Sequence, residues 1–409
     1  ATIEAFALQD LSVFHLDFLG MSIKQITVND EVAIFERDGR ELIITPEARL
    51  LENEPFTVHV VYNGSPGKGV SSSDLPFGRG WTWINDGVYV ASEPGGSAVW
   101  YPVNDHPLDK ATYTLQVTVP QDYSVAANGL LQDVIDEGDG NHTYLWEAIN
   151  PIASYLVTVN IGHFAMLETV YGDGLPLRFF VPERFADELP ALADITKDML
   201  SFFESVFGPY PLEAYGIVVV DATLDFALET QTLSLFGRDL ISGDQWLGIG
   251  GADIVMAHEL AHQWFGNSVS PASWRDIWLN EGFATFAQML WLEHTQGTDE
   301  MNAVYDSWYN NISYLPTSRN TPLADPGENN LFGINVYLRG ALVLEALRQE
   351  LGDETLFAIL QTFHETNRNG NASIEDFITI AEEVSGQPLD DFFMRWLYEP
   401  DLPPSPLSD

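Results

Sequence analysis

The 409-residue sequence has no cysteine. This excludes disulfide bridges, thiol nucleophiles and thiolate metal sites, so any metal must be held by His, Asp, Glu or backbone oxygen. Basic residues are scarce. Lys and Arg number 17 against 60 Asp and Glu, a formal net charge of -43, and the only lysines are Lys24, Lys68, Lys110 and Lys197. Such a chain repels nucleic acid and anionic membranes. The acidity reads first as a solvating surface suited to a saline setting, and second as an attraction for cationic peptides. No run of about 18 apolar residues occurs, so no membrane span is expected. No leader peptide is visible, because the opening ATIEAFALQDLSVFHLDF already reads as strand. A processed N-terminus has the same appearance. The expectation is a soluble protein, exported from a bacterium rather than cytoplasmic, and monomeric.

The length allows two or three domains. Residues 1–172 read as a β-rich N-terminal domain. FTVHVVY (Phe56 to Tyr62), YTLQVTV (Tyr113 to Val119) and SYLVTVNIGHF (Ser154 to Phe164) alternate with period two, and turn-rich stretches such as NGSPGKG (Asn63 to Gly69) and DEGDGN (Asp136 to Asn141) separate the strands. Residues 173–409 read as a mainly helical α/β domain. LPLRFFV (Leu175 to Val181) and YGIVVVD (Tyr215 to Asp221) are strands, a helical pattern runs from Phe185 to Phe207, and Ser373 with Asp376 forms a capping box for a late helix.

The chemistry is concentrated in ADIVMAHELAHQWFGN. On a helix, His258 and His262 lie one turn apart on one face and can share a tetrahedral zinc, with Glu259 beside the metal's remaining water. Gly266 is a natural stop for that helix. Two histidines at this spacing can also be satisfied core residues, so the pair alone does not decide the matter. Downstream, Glu281 sits within the apolar helical pattern WLNEGFATFAQML. A buried carboxylate without a partner is costly, and a metal is such a partner. Two His and one Glu leave a coordination position open, as in catalytic rather than structural zinc. Asp276 either orients a ligand histidine or favours its helix N-terminus.

HELAHQWFGNSVSPASWRDIWLNEGFATF (His258 to Phe286) resembles the HExxH-x18-E signature of the aminopeptidase N and leukotriene hydrolase family of gluzincin metallopeptidases. The resemblance extends over nearly the whole chain. It implies an α+β multidomain protein: an antiparallel, saddle-like β domain followed by a thermolysin-like catalytic domain. It implies one zinc ion held by His258, His262 and Glu281, with Glu259 as general base. It further implies that Tyr337, in VYLRGA with Arg339 where the family has Lys, stabilises the oxyanion. In the family a G-x-M-E-N motif grips the substrate's amine. Its counterpart here is Phe226-Ala227-Leu228-Glu229-Thr230, so Glu229 takes that role while Phe226 and Thr230 alter the first pocket. Glu93, before WYPVNDHPLDK (Trp100 to Lys110), falls near the family's second amine-binding carboxylate. The implied substrates are peptides with a free N-terminus. Relative to the family, the β domain is expected to lack its first strands, and no helical C-terminal domain is expected to roof the site. Two other readings compete. A thermolysin-type endopeptidase shares the zinc chemistry but has no use for Glu229 and Glu93. A peptide-binding protein with a dead site has no use for an intact Glu259.

Overall fold

The computed structural model describes residues 1–68, 80–242, 251–314 and 321–407. The turn expected to end at Gly69 therefore has its last residue outside the described residues. Up to Gly162 the chain builds antiparallel sheets. One pairs Thr2–Phe6, Pro55–Asn63, Ser22–Val28 and Glu31–Val32, and a second pairs Phe14–Asp17, Glu41–Thr45 and Ile34–Asp38. Ile26, Leu42, Ile44, Val58 and Val60 are buried between them, the alternate residues of their strands, as period-two patterning requires. A third sheet is formed by Ala111–Pro120, Asn141–Ile152 and Leu130–Asp136, and a fourth by Ser124–Ala127, Val159–Gly162, Gly87–Ala91 and Gly80–Ile84.

SYLVTVNIGHF is not one strand. Ser154–Leu156 is a 3-10 turn, Val159–Gly162 is a strand, and Phe164–Tyr171 begins a different sheet. Tyr155 and Leu156 are fully buried, so packing overrode the local alternation. Phe164–Tyr171 pairs antiparallel with Leu175–Pro182, which lies parallel to Tyr215–Val220 and then Ser234–Gly237. Every residue of Tyr215–Val220 is buried, as a strand covered on both faces should be. The helix expected from Phe185 starts later, over Leu189–Phe207. A 3-10 segment with non-helical backbone at Phe185 precedes it, and Pro190, at the helix start, lacks an N–H that no carbonyl there could use.

The helices Ala252–Ala261, Trp278–Gln296 and Ile334–Leu351 pack together behind this sheet. The last two approach closely where Gly282 faces Gly340: a Cβ on Gly340 would stand 2.7 Å from the Gly282 Cα. Two residues without side chains let the backbones touch, which brings Tyr337 towards Glu281. No helix of the described residues is long and apolar enough to cross a membrane.

Arg339 is wholly buried and donates to five carbonyls, those of Arg395, Trp396, Glu399, Pro400 and Asp401. It clamps the end of the helical domain onto the helix that carries Tyr337. Arg339→Met leaves these carbonyls without their donor and should destabilise the protein by at least about 2 kcal/mol. A thermal unfolding midpoint equal to wild type would remove the clamp from the account.

Lys110 bridges the β-rich and helical parts. Its buried Nζ donates to the carbonyls of Asn267 at 2.8 Å and Ser268 at 3.0 Å, and burial pushes its pKa down to about 7 from 10.5. Between these two values the unfolded chain binds a proton that the folded chain lacks, so Lys110 makes stability rise with pH through that window. Below about pH 7 both states are charged and the desolvation cost is present in full. Wild type should therefore gain stability on Lys110→Met between pH 7 and 10 in thermal unfolding, and parallel pH profiles would contradict this.

Candidate active site

His258 lies in the helix Ala252–Ala261, and His262 caps it while keeping helical backbone angles (φ -56, ψ -25). The i, i+4 relation therefore holds, and the two rings stand 4.6 Å apart. The helix ends five residues before Gly266, whose positive φ of 125 instead serves the turn that follows. A Cβ there would stand 2.0 Å from Asn280 Oδ1 and 3.2 Å from His262 Nδ1.

Each imidazole is held by its Nδ1. His262 Nδ1 lies 3.2 Å from the Phe265 carbonyl, which can only accept, so that nitrogen carries the proton. His258 Nδ1 lies 3.0 Å from Gln288 Oε1 and donates likewise. Both Nε2 atoms are then bare lone pairs. They face Glu281 Oε2 at 3.3 Å and 3.6 Å. Three acceptors converging with no donor between them is an arrangement that a cation relieves. The His258, His262 and Glu281 donor atoms all lie within 4.8 Å of one another and are buried. Two neutral imidazoles and a carboxylate are a donor set for zinc, and the residues fit that ion.

Gln288 is a residue that the sequence reading missed. It lies seven positions after Glu281, two turns along the same face of the helix Trp278–Gln296, and that spacing was the available signal. Asp276 has the other of its two foreseen roles. It accepts from Ser273 N and Oγ at 3.1 and 2.8 Å and from Ile374 N at 3.3 Å, capping the start of the segment rather than orienting a histidine.

The remaining foreseen residues meet at the same cavity of about 270 Å³, lined by Glu93, Glu229, Glu259, Glu281, both histidines and Tyr337. Five carboxylates line it, those of Glu93, Asp225, Glu229, Glu259 and Glu281, and among the described residues no Lys or Arg does. Burial, then Glu229 and Glu281, push the Glu259 carboxyl well above its ordinary range. Burial, then Glu229, Glu281 and Glu259, do the same to Glu93. Glu259 Oε2 and Glu93 Oε1 have no hydrogen-bond partner among the described residues. Without a cation, burial pushes Glu281 up to about 7 and His258 down to about 4. The pocket is thus built to receive positive charge.

Glu229 is fixed from three sides. Asn280 Nδ2 donates to its Oε1 at 3.1 Å, and Asn267 Nδ2 and Gln263 Nε2 donate to its carbonyl at 2.6 and 3.2 Å. Asn267 and Asn280 come from the segments that follow His262 and precede Glu281, so the metal motif itself positions Glu229. Tyr337 stacks on His258 with ring centroids 6.2 Å apart and planes 20° off parallel, and its hydroxyl is directed at Glu281. Phe226, Leu228, Phe332 and Ile334 give the cavity an apolar wall, of which the sequence had indicated only Phe226.

The Peptidase family M1 domain model matches residues 192–396 and the Peptidase M1 N-terminal domain model matches residues 1–156. Probable aminopeptidase 2 of Sulfurisphaera tokodaii is 29% identical over 319 residues, 74% of this chain and 40% of that protein. Probable aminopeptidase 1 of Saccharolobus solfataricus is 25% identical over 411 residues, 95% of this chain and 50% of that protein. The chain thus spans half or less of the length of these curated relatives. A crystal structure of a mutant M1 zinc metallopeptidase from Deinococcus radiodurans, bound to a Tyr-Ser-Ala substrate, superposes with a TM-score of 0.88 at 30% identity, covering 99% of this chain and 90% of that one.

Proposed function

The chain belongs to peptidase family M1, and on that premise we propose that it is a zinc-dependent aminopeptidase that hydrolyses the first peptide bond of peptides with a free N-terminus. One observation carries this reading. The donor triad His258, His262 and Glu281 shares a single buried cavity with Glu229 and Glu93, two carboxylates that the triad does not use.

His258, His262 and Glu281 would hold a zinc ion, which would supply Lewis acidity to polarise the scissile carbonyl and lower the pKa of water. Glu259 takes the proton of the attacking water and delivers it to the leaving amine. The Tyr337 hydroxyl donates to the oxygen of the tetrahedral intermediate. Glu229, braced by Asn280, and Glu93 pair with the substrate's ammonium and fix the first peptide bond in register, so that binding energy is used for positioning. Phe226, Leu228, Phe332 and Ile334 favour an apolar first side chain. The soluble, exported and monomeric state belongs to the same reading.

The test is cleavage of a free-amine peptide and its N-acetylated twin, each before and after zinc is removed with a chelator and restored. Release of the first residue from the free-amine peptide alone, lost with the metal and regained with it, is expected. Internal cleavage of both peptides would make the protein a thermolysin-type endopeptidase. Cleavage of neither by the zinc-loaded protein would return the reading of a peptide-binding protein.

A further inference from the structure

Asp225 lines the zinc pocket at its exposed edge, and neither the metal chemistry nor the amine contacts use it. The segment that carries it runs outward from the floor of the cavity. Glu229 is 2% exposed and Leu228 4%, Ala227 and Phe226 are half-buried, and Asp225 is exposed. Both ends of the segment are pinned. Leu228 exchanges two backbone hydrogen bonds with Leu235, at 3.0 and 2.8 Å, and Leu224 N donates to Asp239 Oδ1 at 3.1 Å. Gly237 permits the second contact, since a Cβ there would stand 2.7 Å from Leu224 N. Fixed neighbours on both sides thus hold Asp225 at the mouth.

The Asp225 carboxylate has no hydrogen-bond or ion-pair partner among the described residues. The cations nearest in the fold are committed elsewhere. Arg238, whose backbone N–H donates to the Ala222 carbonyl at 2.9 Å, pairs with Asp221, and so does Arg184. Solvation alone accounts for an isolated exposed carboxylate, but this one shares a cavity with Glu229 and Glu93. Glu93 is 6% exposed and its Oε1 has no hydrogen-bond partner among the described residues. The floor is built to take one positive charge, and the mouth offers a place for a second.

We propose that Asp225 is a specificity-determining residue that selects peptides with lysine or arginine in second position. The inference rests on the aminopeptidase reading, which sets the direction of the peptide. Its ammonium lies at Glu229 and Glu93, its first peptide bond over His258, His262 and Glu281, and its remainder leaves through the mouth. From Glu229 to Asp225, four residues span at most about 14 Å when fully extended. The second Cα of the substrate lies about 3.8 Å past the first, and the flexible four-carbon stem of lysine extends from there towards the rim.

The test measures binding and cleavage separately. Binding of the amides of Leu-Ala-Ala, Leu-Lys-Ala, Leu-Glu-Ala and Lys-Ala-Ala to zinc-loaded Glu259→Gln is followed by calorimetry, with and without Asp225→Asn or Asp225→Lys. Leu-Lys-Ala amide should bind about three- to fivefold more tightly than Leu-Ala-Ala amide, as an exposed ion pair allows. This preference should vanish with Asp225→Asn and shrink at high salt, and Asp225→Lys should favour Leu-Glu-Ala amide instead. Asp225 makes no bond within the fold, so both changes should leave the thermal unfolding midpoint where it was. A preference for Leu-Lys-Ala amide that survives Asp225→Asn overturns the proposal and assigns the attraction to the net charge of the whole chain. A larger gain for Lys-Ala-Ala amide rejects it too, and gives Asp225 to the first side chain. Equal affinity for Leu-Lys-Ala and Leu-Ala-Ala amides leaves Asp225 no role in selection. Cleavage of the same peptides by wild type decides the aminopeptidase reading by itself: if none loses its first residue, that reading fails, while the binding preference is still judged by the Asp225 variants.

Discussion

Glu259→Gln lowers kcat by a factor of about 10² to 10⁴, the range that a general base contributes, while zinc content and fold are kept. The expectation follows from the surroundings of Glu259. It is 3% exposed, and its Oε2 has no hydrogen-bond partner among the described residues, so structural hydrogen bonding there does not account for that oxygen. Glutamine has nearly the same shape and removes only the negative charge and the basicity. Because Glu259 is crowded by Glu229 and Glu281, removing its charge lowers repulsion, and the thermal midpoint should hold or rise. His258, His262 and Glu281 are untouched, so metal analysis of the purified variant should give the wild-type stoichiometry. Activity within tenfold of wild type, with full zinc occupancy, would remove Glu259 from the base role. Loss of zinc along with activity would make it a structural support of the metal site.

How far the sequence carried this account depended on the range of the signal. His258, Glu259 and His262 are set by one turn of helix, and Glu281 by its place in an apolar helical pattern. Such local spacing survives folding unchanged. Glu229 and Glu93 are 136 residues apart, and the periodicity of neither segment indicates that they meet; only the resemblance to a family did so. Gln288, Asn267 and Asn280 were hidden for a different reason. They act through hydrogen bonds to a histidine and to Glu229, and polar residues near a motif are too common to be singled out. Arg339 appeared as a variant letter beside Tyr337. Its five carbonyl partners come from residues 395–401, a contact that only the folded chain discloses. In the β-rich part, alternation located Phe56 to Tyr62 and Tyr113 to Val119 within single strands. It failed at Ser154 to Phe164, where Tyr155 and Leu156 are drawn into a core against Trp274 and the chain changes sheets.

Tyr337→Phe should lower kcat by about 10² to 10³, the cost of removing one donor from an oxyanion site, with KM changed little. The structure separates the ring from the hydroxyl. The ring stacks on His258, and phenylalanine keeps that contact, so the ligand histidine and the metal should stay in place. The hydroxyl faces Glu281, and burial followed by the charges of Glu281, Glu93 and Glu229 pushes its pKa well above the ordinary value. It therefore remains a protonated donor throughout the neutral range, which a group stabilising a developing oxyanion requires. On the proposed reading the substrate's ammonium pairs with Glu229 and Glu93 rather than with Tyr337, so ground-state binding should be nearly indifferent to the change. A loss in kcat with KM preserved is the signature of an interaction made chiefly in the transition state. Should KM rise instead while kcat is kept, Tyr337 is a wall of the substrate pocket. The oxyanion then needs another donor, and among the described residues no other tyrosine and no Lys or Arg lines the cavity.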